Sequence, residues 1–203
     1  MDHKVIYDFR DSESLPELKL SVFVAVENKV QKSASMKLIH EDSGLEWNCR
    51  SLSLNKYESN EMKWVGNTNF VPEKNRLFPE GNYRVIYEDL AERECDLTFT
   101  LNYPEHIAKV LSEEIPAAFN TPSAKKIAVY SNEDILLYFG EEPANWNSND
   151  DIIMNYKNAW CTRVCYTLNR GTVYCLMPPV ILGNKDFNKP EEKSDSENNQ
   201  ASE

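Results

Sequence analysis

The stretch Phe78–Leu101, FPEGNYRVIYEDLAERECDLTFTL, decides how the first half of the chain folds. Tyr83, Val85 and Tyr87 alternate with Arg84, Ile86 and Glu88. Cys95, Leu97, Phe99 and Leu101 alternate with Glu94, Asp96, Thr98 and Thr100. A period of two over this length is the mark of half-buried strands. The polar run Asp89–Arg93 between them has the length of a hairpin connection. Ahead of the pair, Pro79 fixes one φ and Gly81 frees another, so the chain can turn sharply before Tyr83.

Working outward, Leu18, Leu20, Val22, Val24 and Val26 give a strand with apolar character on both faces. Ala34, Met36 and Leu38 give a second, ending near His40. Glu41-Asp42-Ser43-Gly44 has turn chemistry, and Leu45, Trp47 and Cys49 begin a third strand. Met62–Val65 and Asn69–Val71 read as two short strands around Gly66. Some seven short strands with regular turn signals match the strand count of a sandwich.

The segment Phe-Pro-Glu-Gly-Asn-Tyr at 78–83 resembles the corner before the sixth strand of immunoglobulin-like and fibronectin type III-like sandwiches. There, a Gly-x-Tyr turns a tyrosine hydroxyl back onto the turn's own backbone. The resemblance covers residues 18–103 and implies a fold, not a function. The cysteine–tryptophan–cysteine core of antibody domains is not matched. Cys49 follows Trp47 too closely, and Cys95 has no early-strand partner.

Residues 1–17 read as an irregular arm in which Val5, Ile6, Tyr7 and Phe9 can add an edge strand. After Tyr103-Pro104 the period changes. Ile107, Val110, Leu111 and Ile115 fit one face of a helix closed by Pro116. Lys126–Tyr130 with Ile135–Phe139, and Trp160–Leu168 with Thr172–Met177, read as two antiparallel pairs. Asn169-Arg170-Gly171 fits a three-residue loop in the second pair, which sets Cys165 opposite Cys175. Ile152–Lys157 reads as a short helix. The expected organisation is α+β overall but mainly β. An N-terminal arm (1–17) leads into an immunoglobulin-like β-sandwich domain (18–103). A small unit with a helix and an antiparallel sheet (104–183) and a disordered acidic tail (184–203) follow.

The chain has 203 residues, of which 41% are hydrophobic and 11% aromatic, enough for a substantial core. With a net charge of -11, a pI near 4.8 and no basic stripe in the sequence, no nucleic-acid partner is expected. The N-terminus lacks an apolar secretory core, and the longest apolar run, Val173–Leu182, is broken by Pro178 and Pro179. The expectation is a cytoplasmic protein without membrane insertion, whose five cysteines are mainly free thiols.

Catalytic and cofactor signatures are missing. The three histidines, His3, His40 and His106, form no His-Glu-x-x-His motif, and there is no Gly-x-Ser-x-Gly elbow or phosphate-cradling glycine loop. No cofactor is expected. Cys161, Cys165 and Cys175 are the runner-up for a metal or redox centre. Residues four apart on a strand lie about 13 Å apart, so the plainer reading is small apolar side chains in a sheet core. The loop Gly140–Asp151, GEEPANWNSNDD, is the most polar of the folded part. Within it Trp146, with Asn147 and Asp150, is a candidate anchor for a partner; the competing reading has Trp146 folding back onto the second sheet. The functional expectation is a non-catalytic interaction or scaffold module that binds a protein through a sheet edge or the 140–151 loop. The alternatives are a metal or redox protein using the 161–175 hairpin, and a small-ligand binder between the two units.

Overall fold

The computed structural model describes residues 1–26, 34–50, 55–59, 62–73, 76–88 and 94–183. The strands, in chain order, are β1 (Asp2–Asp8), β2 (Glu17–Val26), β3 (Ser35–His40), β4 (Glu46–Arg50), β5 (Asn55–Ser59), β6 (Met62–Phe70), β7 (Gly81–Glu88), β8 (Glu94–Leu101), β9 (Ala124–Ser131), β10 (Leu136–Gly140), β11 (Ala159–Leu168), β12 (Val173–Leu176) and β13 (Val180–Ile181). One α-helix, α1 (Asn149–Asn155), lies among the described residues. The chain is mainly β, as its alternation implies. The expected tail at 184–203 and the connection at 89–93 lie outside the described residues.

Two sheets form. One runs β10-β9-β11-β12-β1-β2-β6-β5, with β13 also on β11; the other runs β4-β3-β7-β8. The organising hairpin forms in the register its patterning implies, with Tyr83 opposite Phe99 and Val85 opposite Leu97. The two sheets close over one large core. Leu20, Val22 and Val24 come from one side, and Met36, Leu38 and Val85 from the other; each is almost wholly buried. The corner before β7 is built as its residues imply: the Tyr83 hydroxyl donates to the Pro79 carbonyl at 2.7 Å. Tyr103 makes the same kind of bond to the Phe78 carbonyl, and Tyr7 to that of Pro104. Burial raises the ionisation point of all three phenols, so they remain donors at neutral pH.

Four expectations are corrected. First, residues 2–8 are neither an irregular arm nor an edge. β1 is interior, antiparallel to β2 and parallel to β12. Val5 and Tyr7 point into the core, and Asp8 finds its charge partners on the opposite face. The nine-stranded sheet therefore contains strands from both sides of the Tyr103–Pro104 junction.

Second, the helix expected from Pro104 to Pro116 is two 3-10 turns, Glu105–Lys109 and Ser112–Glu114. Val110 and Leu111 are extended between them, at ψ of 154° and 161°. Ile107 and Ile115 are buried, so the apolar spacing is satisfied without an α-helix.

Third, β6 is one strand through Gly66, with a bulge against β2. A side chain at Gly66 would press on the Val22 carbonyl oxygen, 2.0 Å from the Cβ position. Only glycine fits so close an approach.

Fourth, the β11–β12 loop is one residue longer than expected. Leu168 pairs with Val173, so Thr172 joins the loop, and Asn169, Arg170 and Gly171 all adopt positive φ. Cys165 then faces Leu176, while Cys175 faces Tyr166.

Candidate functional site

The register fixes the three cysteines. Because the side-chain period is two, a one-residue slip moves a side chain to the other face. Cys175 shares a face with Tyr166 and Tyr7 and belongs to the large core. Cys165 points out of the opposite face of the sheet, as does Cys161 four residues away. Cys175 therefore lies on the face opposite Cys161 and Cys165, the three residues of the runner-up metal or redox reading. Among the described residues no three His, Cys, Asp or Glu side chains lie close enough to hold one ion. All five thiols are unpaired. Burial pushes the Cys165 thiol up to about 12 and raises those of Cys161 and Cys175, so none is an activated nucleophile at neutral pH.

The 140–151 loop leads into α1. Ser148 caps the helix, taking the Asp151 backbone N–H on its hydroxyl, while the Asp151 carboxylate accepts from the backbone of Asn147 and Ser148 at 2.9 Å. These bonds, that from Asn147 foremost, hold the Asp151 carboxyl below its ordinary value. Asn147 is thereby tied to the cap, and Asp150 is exposed in the helix's first turn. Trp146 is half-buried. Its ring meets Tyr138 edge-on at 5.1 Å and Tyr156 at 6.1 Å. With Leu137, Ile153 and these two tyrosines it covers a second, small core of Val129, Ile152, Ala159 and Leu182.

β10 forms the sheet edge beside that aromatic cluster. Among the described residues it pairs with β9 on one side only, with a register shift between Leu136 and Tyr138. The other three edges carry charge in sequence: Glu46 and Arg50 on β4, Lys56 and Glu58 on β5, Glu94 and Asp96 on β8. β10 is Leu136-Leu137-Tyr138-Phe139-Gly140, without charge or proline. Leu136 and the preceding Ile135 are 50% and 53% exposed.

A buried ionic cluster was not anticipated from the sequence. Arg163 sits mid-β11 and is only 6% exposed. Its Nη2 donates to Asp8 Oδ1 at 2.6 Å and to the Phe9 and Leu176 carbonyls, and its Nε donates to the Met177 carbonyl at 2.6 Å. Asp8 also takes Lys19 at 2.6 Å and Arg10 at 3.0 Å. Burial alone would raise the Asp8 carboxyl. The hydrogen bonds and charges of Lys19 and Arg163 outweigh it, and the group titrates below its ordinary value. The pair ties the end of β1 to β11, across β12. A signal existed: Arg163 is in phase with Cys161 and Cys165, and a cation on a covered strand face demands an acid.

Compared with known proteins, the chain matches no family model and no curated protein. No described helix is long and apolar enough to cross a membrane.

Proposed function

We propose that this protein is a non-catalytic interaction module that takes an extended segment of a protein partner onto the β10 edge as an added strand. The observation that carries the reading is the uncharged, apolar composition of that edge, where β4, β5 and β8 each carry charge. Proteins commonly blunt exposed edges with charge or proline, because an open row of backbone N–H and C=O groups pairs with other chains. An edge without charge or proline, flanked by exposed Ile135 and Leu136, is suited to strand addition, with backbone bonds supplying affinity and side-chain contacts specificity. Trp146, anchored on Tyr138 beside this edge, adds a wall to it rather than a free hook.

An immunoglobulin-like assignment of the sandwich belongs to the same proposal. It is supported by the order β1-β2-β6-β5 opposite β4-β3-β7-β8, which follows the ABED and C′CFG sheets of such domains, and by the Tyr83 corner. A reducing, cytoplasmic setting is supported by five free thiols, four of them buried.

The test is affinity capture from the native cell with wild-type protein, Leu136→Lys and Trp146→Ala. Partner recovery should fall sharply with Leu136→Lys and partly with Trp146→Ala. Equal recovery with Leu136→Lys would sink the edge reading, and a loss confined to Trp146→Ala would move the site to the loop.

A further inference from the structure

An open cleft of about 300 Å³ lies where the end of β1 meets β9, β11 and β13. Tyr130, Cys161 and Arg163 line it, together with Trp160, Pro179 and Ile181. It is thus polar at the buried strand positions and apolar along the walls. The informative group is Arg163. Its Nε and Nη2 are fully engaged, but its Nη1 has no acceptor among the described residues. The Tyr130 hydroxyl has none either. No fully enclosed side-chain nitrogen or oxygen among the described residues lacks a partner. Both groups must therefore reach accessible surface, and the cleft is the surface their residues line.

A guanidinium can only donate, so the ligand must offer an acceptor. Arg163, Lys19 and Arg10 meet only two carboxylates, Asp8 and Glu17. Asp134 also lines the cleft, so three cations there face three carboxylates and the fixed charges balance. A guanidinium that is held on one side by a carboxylate and three carbonyls cannot swing away, so its remaining N–H donors are fixed in direction. One fixed guanidinium nitrogen beside a phenol hydroxyl suits a carboxylate, one oxygen to each donor. Asp134, exposed, also lines the cleft and would repel a second acid group on the same molecule.

We propose that this cleft binds a small monocarboxylate with an apolar body, its carboxylate held by Arg163 Nη1 and the Tyr130 hydroxyl. The apolar body lies against Trp160 and Pro179, and Arg10 adds charge from the rim. This site is separate from the β10 edge, and either can fail without the other.

The experiment uses the full chain and phenylacetate as probe, followed by calorimetry and amide-shift mapping. 2-Phenylethanol serves as the neutral counterpart and inorganic phosphate as the non-planar anion. Phenylacetate should bind at low-millimolar concentration or better and shift amides of Tyr130 and Arg163. Tyr130→Phe keeps the ring and removes one donor; it should weaken binding about tenfold. Arg163→Lys should abolish it. Should Arg163→Lys fail to fold, Tyr130→Phe decides alone. The proposal is overturned if phenylacetate does not bind, if Tyr130→Phe binds it unchanged, or if 2-phenylethanol or phosphate binds as tightly.

Discussion

The two cores of this protein are unequal, and the inequality is instructive. The large one lies between two sheets and draws on β1, β2, β3, β4, β6, β7, β8, β11 and β12. The small one has four fully buried residues, Val129, Ile152, Ala159 and Leu182, under a lid of half-buried aromatics. Free energies of local opening follow the buried apolar contacts a region holds. The sandwich should therefore open only with global unfolding, and β9, β10 and α1 should open first. The proposed binding edge belongs to the second region. A strand edge that must accept a partner is better placed where the protein can adapt than in a jammed core.

That contrast can be broken from the large core first. Leu38→Ala removes a wholly buried side chain from β3 and should cost about 2–5 kcal/mol in chemical denaturation. A cost under about 1 kcal/mol would mean that the sandwich is looser than its burial indicates. Asp8→Ala leaves Arg163 buried without its acid and should cost a similar amount, about 3–5 kcal/mol. Unlike Leu38→Ala, it should loosen the tie between β1 and β11, so amide exchange should rise most along β11 and β12. Gly66→Ala forces a Cβ into the backbone of β2 and should lower stability by about 2–4 kcal/mol.

The small core sharpens the contrast at lower energies. Trp146→Ala removes a half-buried ring and should cost about 1–2 kcal/mol, read as faster exchange in β10 and α1 with β3 and β7 unaffected. Leu136→Lys, at an exposed edge position, should stay within about 0.5 kcal/mol of wild type while losing partner.

Acid separates the two regions as well. Asp8 titrates lower when folded than the ordinary carboxylate value of about 3.9. The unfolded chain binds more protons there, so stability rises with pH through that window. Its contribution is full above about pH 4 and disappears as pH falls through the folded value. Asp8→Asn should flatten that acid limb in a pH series of melting temperatures; an unchanged limb would mean that Asp8 is not held in its charged form.

Which features could be read in advance follows from how local their causes are. The β7–β8 hairpin was legible because Gly81, Tyr83 and the strict alternation are contiguous, and the Tyr83 hydroxyl bonds only four residues back. The interior place of β1 is not legible locally, because it depends on β12, more than 160 residues away, and nothing within Asp2–Asp8 encodes that pairing. The Ile107–Ile115 segment satisfied helical spacing, but two 3-10 turns bury the same isoleucines, so spacing could not choose between them. The Cys165–Cys175 juxtaposition failed on a single loop residue, Thr172. The sequence around Trp146 fits both an exposed anchor and a packed ring, and the rings of Tyr138 and Tyr156 account for its half-buried position. The Arg163–Asp8 pair spans 155 positions, so its existence could be suspected from a charge in a covered phase but its partner could not be named.

The most direct test of the edge reading is amide hydrogen exchange on the protein alone and in complex with its captured partner, resolved across Leu136–Gly140. Strand addition predicts that β10 amides gain protection in the complex while those of the charged β8 edge stay as they were. Unchanged exchange at β10, or protection appearing at β8 instead, would contradict it.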